Sequence, residues 1–199
     1  KQIFEKKMNN QASMPPYFQW IIDKRLAICA HPFHASHIRY LLEQRIHTVI
    51  SISDTYSSGI PNQSRADLHV HTINVPDGGA PTMQQCQQFV HRMEIARQRE
   101  EGVVVECIRG KGSAGVLIGC YLLALWKVPP DYIVNHLRLI RPITLETSLQ
   151  EQQLVDYHST LAPTQRHFYA EVDQPHSWDI DTSYLNTTPL ATPQQLSLA

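Results

Sequence analysis

The stretch from Gly102 to Tyr121, GVVVECIRGKGSAGVLIGCY, restricts what this chain can fold into more than any other. Val103 to Val105 form a run of β-branched residues that reads as a buried strand. Cys107 follows at the strand's end, then a loop with glycines at Gly110 and Gly112, then an apolar helix opening near Ser113. Backbone N–H groups from such a loop and helix N-terminus converge on one point, which makes an anion site without any basic side chain. A cysteine in that position lies over the anion.

The flanking sequence supplies the sheet that this strand needs. FQWIIDKRLAIC, Phe18 to Cys29, has two short apolar runs around a charged turn and predicts a hairpin at a sheet edge. In HPFHASHIRYLLEQRI, Pro32 marks a helix boundary, and Ile38, Leu41, Leu42 and Ile46 recur at helical spacing over about three turns. His47 to Ser53 and Leu68 to Val75 alternate and predict strands. Asp54 to Asp67 is a loop by its turn residues, and Pro76-Asp77-Gly78-Gly79 is another. Thr82 to Arg99 places Met83, Cys86, Phe89, Val90, Met93 and Ala96 on one helix face, which is core packing. Pro129 and Pro130 restart a helix at Asp131 with Ile133, Val134, Leu137 and Ile140 inward. Arg141-Pro142 ends it, and Thr144 to Leu161 predicts a last helix with Leu145, Leu149, Leu154 and Tyr157. Strands alternating with helices imply an α/β fold with a mainly parallel central sheet flanked by helices on both faces. Ligands on such sheets bind beyond the carboxyl ends of the strands, where Cys107 and Asp77 both fall.

The totals narrow the class. A chain of 199 residues holds one well-buried domain plus an appendage. Residues 1–14 read as an N-terminal arm and 15–161 as the domain. Residues 162–199, rich in Pro, Ser, Thr and Gln, read as a tail without its own core. With 17 basic against 18 acidic residues, the charge balance gives no indication of a nucleic-acid partner. Cys29, Cys86, Cys107 and Cys120 have irregular spacing and no C-x-x-C pair, which predicts free thiols in a reducing compartment. The opening KQIFEKKMNN is polar and unlike a secretory signal. The longest apolar run, the 11 residues from Val116 to Trp126, fits a core helix and predicts no membrane span. A soluble intracellular protein of the cytoplasm and/or nucleus is expected.

The central stretch resembles the phosphate-binding loop of cysteine-dependent phosphatases, whose signature is H-C-x5-R-[ST]. On this sequence the family cysteine falls on Cys107, the loop glycines on Gly110 and Gly112, and the glycine of close helix packing on Gly115. Three positions depart from the pattern: Glu106 replaces the histidine, Ser113 the phosphate-clamping arginine, and Ala114 the serine or threonine. The order PPYFQW…RLA, HTVISIS, INVPD, VVVEC…G and RLIRPITLET is similar to the small atypical dual-specificity phosphatases over roughly Pro15 to Leu161. That resemblance implies the cysteine-dependent, dual-specificity phosphatase fold. It also implies Cys107 at the nucleophile position, Asp77 at the general-acid position on a mobile loop, and a phosphate-binding stretch of Ile108, Arg109, Gly110, Lys111, Gly112 and Ser113, with no cofactor.

The departures decide between two uses of that site. An arginine acting on a transferring phosphoryl group is worth roughly 10³ to 10⁵ in rate, and serine offers one neutral donor instead. Losing the guanidinium and gaining Glu106 both weaken the electropositive setting that favours a thiolate. The leading expectation is therefore a pseudophosphatase, a catalytically degenerate member that binds a protein partner, phosphorylated or otherwise, with Cys107 and Asp77 vestigial. The alternative is a divergent active phosphatase using Cys107 as nucleophile and Asp77 as general acid. It would act on a phosphoprotein, phosphoinositide or RNA 5′-phosphate, with Arg109, Lys111 or Arg138 as surrogate clamp. His31, His34 and His37, and His69 with His71, are spaced in ways that metal sites also use. No cysteine or carboxylate completes a ligand set, so they are read as structural or exposed, and no metal is expected.

Overall fold

The computed structural model describes residues 11–30, 34–53, 67–76, 78–107, 112–142 and 144–161. Among the described residues ten elements form a five-stranded sheet with helices on both faces. They are β1 (Gln19–Ile22), β2 (Leu26–Cys29), α1 (Ala35–Glu43), β3 (Ile46–Ser53), β4 (His69–Asn74), α2 (Met83–Gln98), β5 (Gly102–Cys107), α3 (Ser113–Trp126), α4 (Pro130–Ile140) and α5 (Ser148–Thr160). The strand order is β1-β2-β5-β3-β4. Among the described strands the β1–β2 hairpin is antiparallel, and β2–β5, β5–β3 and β3–β4 run parallel. The expected α/β sheet is thus present, with its hairpin at the edge.

The central strand is the apolar run of the sequence. Val103, Val104 and Val105 are all fully buried, because helices cover both faces of β5. Alternation divides them: Val103 and Val105 join a large cluster with α2, α3, α4 and α5, while Val104 joins a smaller one under α1. The α2 stripe faces inward as predicted, with Cys86, Phe89, Val90, Met93 and Ala96 buried. Helix α3 is apolar all round and is buried accordingly, which answers why its run is so hydrophobic. Among the described residues no helix is long and apolar enough to cross a membrane.

Two boundaries differ from expectation. Ile46 belongs to β3, not to the preceding helix, which ends at Glu43. The last helix begins at Ser148, where Thr147 and Gln150 form a reciprocal capping box, and not at Thr144. Leu145 is therefore a buried loop residue, and Leu149 is 68% exposed and outside the core. Leu149 stands five positions before Leu154, about 140° around the helix, so burying Leu154 turns Leu149 outward.

Candidate functional site

The site is assembled where β5 ends and α3 begins, at the middle of the sheet. Cys107 is the last residue of β5, half-buried, with the larger cluster beneath it. Its parallel neighbour on β3 is Ile52. Glu106, one residue earlier, falls on the opposite face by strand alternation, level with Cys29 on β2 and Ser51 on β3. It is fully buried. The residue in the family's histidine position is therefore an acid enclosed on the α1 side of the sheet.

Gly112 caps α3 with φ +24°, and Ser113 is the first residue of the helix. The Ser113 hydroxyl donates to the Gly79 carbonyl at 2.9 Å. Gly79 closes a turn through its own N–H to the Pro76 carbonyl at 2.9 Å. Gln150, 1% exposed, reaches the same point from α5: its Nε2 donates to the Gly79 carbonyl at 3.1 Å. The Oε1 of Gln150 accepts from the backbone N–H of Glu146 at 2.7 Å and of Thr147 at 3.3 Å. A Cβ on residue 112 would stand 2.3 Å from Gln150 Nε2, so the side chain fills the space that glycine leaves. At the other end of the same loop, Gln85 of α2 donates to the Asn74 carbonyl at 2.9 Å.

Close packing of α3 against the segment after α4 sets the depth of the site. A Cβ on Gly115 would lie 2.2 Å from Thr144 Cγ2, which accounts for a glycine there. Arg141, the cap residue ending α4, lies within electrostatic reach of both Cys107 and Cys29; burial pushes its guanidinium down and the two thiols act in the opposite sense. It also donates over a long 3.5 Å to the Tyr17 carbonyl. Arg138 is engaged elsewhere, with Glu151 at 2.5 Å and the Leu145 carbonyl at 2.9 Å.

Of the residues the sequence singles out, Cys107 ends β5, Gly112 and Ser113 open α3, and Ser113 meets Gly79. Asp77 and Ile108, Arg109, Gly110 and Lys111 lie outside the described residues, as do His31 and the 162–199 tail. His34 caps α1, its Nδ1 accepting from Ser36 N–H at 3.3 Å, and His71 contacts Arg92 at 3.1 Å. Among the described residues no three His, Cys, Asp or Glu side chains converge as a metal site would require. Gln150 and Gly79 escaped the sequence reading. Thr147 and Gln150 have the spacing of a capping box, but nothing local says that the Gln150 side chain crosses to another loop.

Fold and described site residues together define a cysteine-dependent phosphatase architecture: a mainly parallel sheet whose central strand ends in a cysteine and is followed by a helix that Gly112 caps. The chain matches over residues 15–154 the family described as PTP-SAK, Swiss Army Knife protein, DSP-PTPase phosphatase domain, and belongs to it. It is 27% identical over 157 residues to the dual specificity protein phosphatase CDC14B of Mus musculus, covering 72% of this chain and 31% of that protein. It is 24% identical over 149 residues to the phosphatidylglycerophosphate phosphatase PTPMT1 of Arabidopsis thaliana, covering 71% of this chain and 43% of that one. The chain thus spans less than half the length of these relatives. The crystal structure of Tk-PTP in the active form shares the fold with a TM-score of 0.64 at 20% identity, covering 74% of this chain and all of that one.

Proposed function

We propose that this protein is a pseudophosphatase, a phosphatase-fold domain that binds a protein partner, phosphorylated or otherwise, and does not turn over phosphate efficiently. The observation that carries this reading is Ser113, a neutral side chain in the arginine position whose hydroxyl is already given to the Gly79 carbonyl at 2.9 Å. Bidentate neutralisation of a phosphoryl group is what an arginine supplies there, and a committed hydroxyl does not replace it. Burial of Glu106 in the histidine position supports the same reading. In this reading Ile108 to Ser113 hold the anion through backbone amides, with Arg109 and Lys111 adding charge, and Cys107 and Asp77 are retained without turnover. Four free cysteines suit an intracellular, reducing compartment.

The test has two arms. Inorganic phosphate and a phosphotyrosine peptide, titrated separately, are expected to give saturable shifts of the Gly110 and Gly112 amides. Hydrolysis of an aryl phosphate is expected to be no faster than in Cys107→Ser. Substantial turnover that Cys107→Ser abolishes overturns the reading, and the absence of any saturable shift overturns the holding of an anion by the loop.

One observation favours the second reading, an active phosphatase with its cation drawn from outside the loop. Arg141 is within electrostatic reach of Cys107, whereas Arg138 is held by Glu151. That reading requires measurable turnover that falls sharply in Arg141→Ala.

A further inference from the structure

We propose that Ser113 and Gln150 are positioning residues which together latch the turn closed by Pro76 and Gly79 onto the N-terminus of α3, by two hydrogen bonds to the one carbonyl oxygen of Gly79. The donors come from different elements. Ser113 Oγ approaches from the first turn of α3 at 2.9 Å, and Gln150 Nε2 from the first turn of α5 at 3.1 Å. A carbonyl oxygen has two acceptor sites, so both donors are accommodated at once and neither competes with the other. The amide of Gln150 has no slack: its oxygen is held by the Glu146 and Thr147 N–H groups, its side chain is buried, and it occupies the space left by the missing Cβ of Gly112. The turn is also closed internally by the bond from Gly79 N–H to the Pro76 carbonyl at 2.9 Å, so holding Gly79 holds the turn.

The substitution at 113 is then a gain as well as a loss. A hydroxyl on that carbon reaches sideways to the neighbouring turn, where a long guanidinium would extend beyond it. The Gly79 carbonyl is thus held from two elements at once, α3 through Ser113 and α5 through Gln150. A change of Ser113 to arginine, which would return the family's clamp, also removes one of the two tethers.

The latch consists of hydrogen bonds within the chain, and its test does not depend on whether the site binds phosphate. Hydrogen exchange of the Gly78, Gly79 and Ala80 amides is followed in the parent, Ser113→Ala, Ser113→Thr and Gln150→Glu. Ser113→Ala is expected to speed these amides about fivefold, the worth of one net hydrogen bond. Ser113→Thr keeps the hydroxyl and is expected to retain slow exchange. Gln150→Glu keeps an acceptor for the Glu146 and Thr147 amides but removes the donor, and is expected to speed the same three amides while core amides of α5 such as Leu154 stay slow. Unchanged exchange of the three amides in Ser113→Ala overturns the proposal. So does a rise in Ser113→Ala that Ser113→Thr fails to reverse.

Discussion

Cys29 closes β2 beside the site, and its chemistry follows from where it stands. Burial pushes its thiol up from an ordinary 9.0 to about 12, with Arg141 pulling the other way. The unfolded chain releases this proton near the ordinary value, whereas the folded chain keeps it until about 12. Stability from this group is therefore complete below the ordinary value and is lost as pH rises towards about 12, at about 1.4 kcal/mol per pH unit. Cys120 and Tyr157 are pushed the same way by burial, so they steepen the fall. Denaturant unfolding at pH 8, 9 and 10 should show stability dropping with pH, and Cys29→Ala should give a shallower slope than the parent. Identical slopes would remove the buried neutral thiol from the account. Individual residues were legible in proportion to how local their role is. Cys107 and Gly112 could be placed from the strand, turn and helix pattern, and Gly115 from the resemblance to the phosphate-binding loop. Gln150 could not, because its partner Gly79 is far away in the chain and only the folded packing of α3 and α5 brings the two together.

At the level of elements, caps settled what periodicity left ambiguous. Thr82 with Gln85 and Thr147 with Gln150 each form a reciprocal box, and each box begins a helix beside the site. Leu145 and Leu149 would share one helix face if the helix started early, whereas Leu149 and Leu154 lie about 140° apart. With the start fixed at Ser148, Leu154 remains fully buried and Leu149 faces outward. Thr147→Ala should therefore cost about 1 kcal/mol through the lost cap. Leu149→Ala should fall within about 0.5 kcal/mol of the parent, as exposed positions do. Paired chemical denaturation of the two variants checks this, and a larger loss at Leu149 would return it to the core. The same reasoning explains the overlong reading of α1. Ile46 has the right spacing for the helix but is the first residue of β3, and the chain turns at Arg45 with φ 59°. A left-handed residue there stops a helix that the apolar pattern alone would carry on.

The molecule as a whole is built unevenly about its sheet. Among the described residues four helices lie over the large cluster, and α1 is the helix over the small one. Uneven packing predicts uneven opening. In native-state hydrogen exchange, amides of α1 such as Leu41 should open at a lower free energy than those of α3 such as Leu122, which lies inside the large cluster. Equal protection would mean that both faces open only with global unfolding. The sheet class was legible in the alternation of strand and helix patterns, and the strand order was not, since which parallel strand neighbours which is decided by the crossovers. That order has a colloidal consequence. The apolar strand β5 is interior, flanked by β2 and β3, and the outer places fall to β1, four residues long with a register shift between Trp20 and Ile22, and to β4, with His69, Thr72 and Asn74 exposed. Short, irregular or polar margins are poor templates for another copy's backbone. The strand most prone to self-association is thereby kept out of reach for as long as the fold is intact.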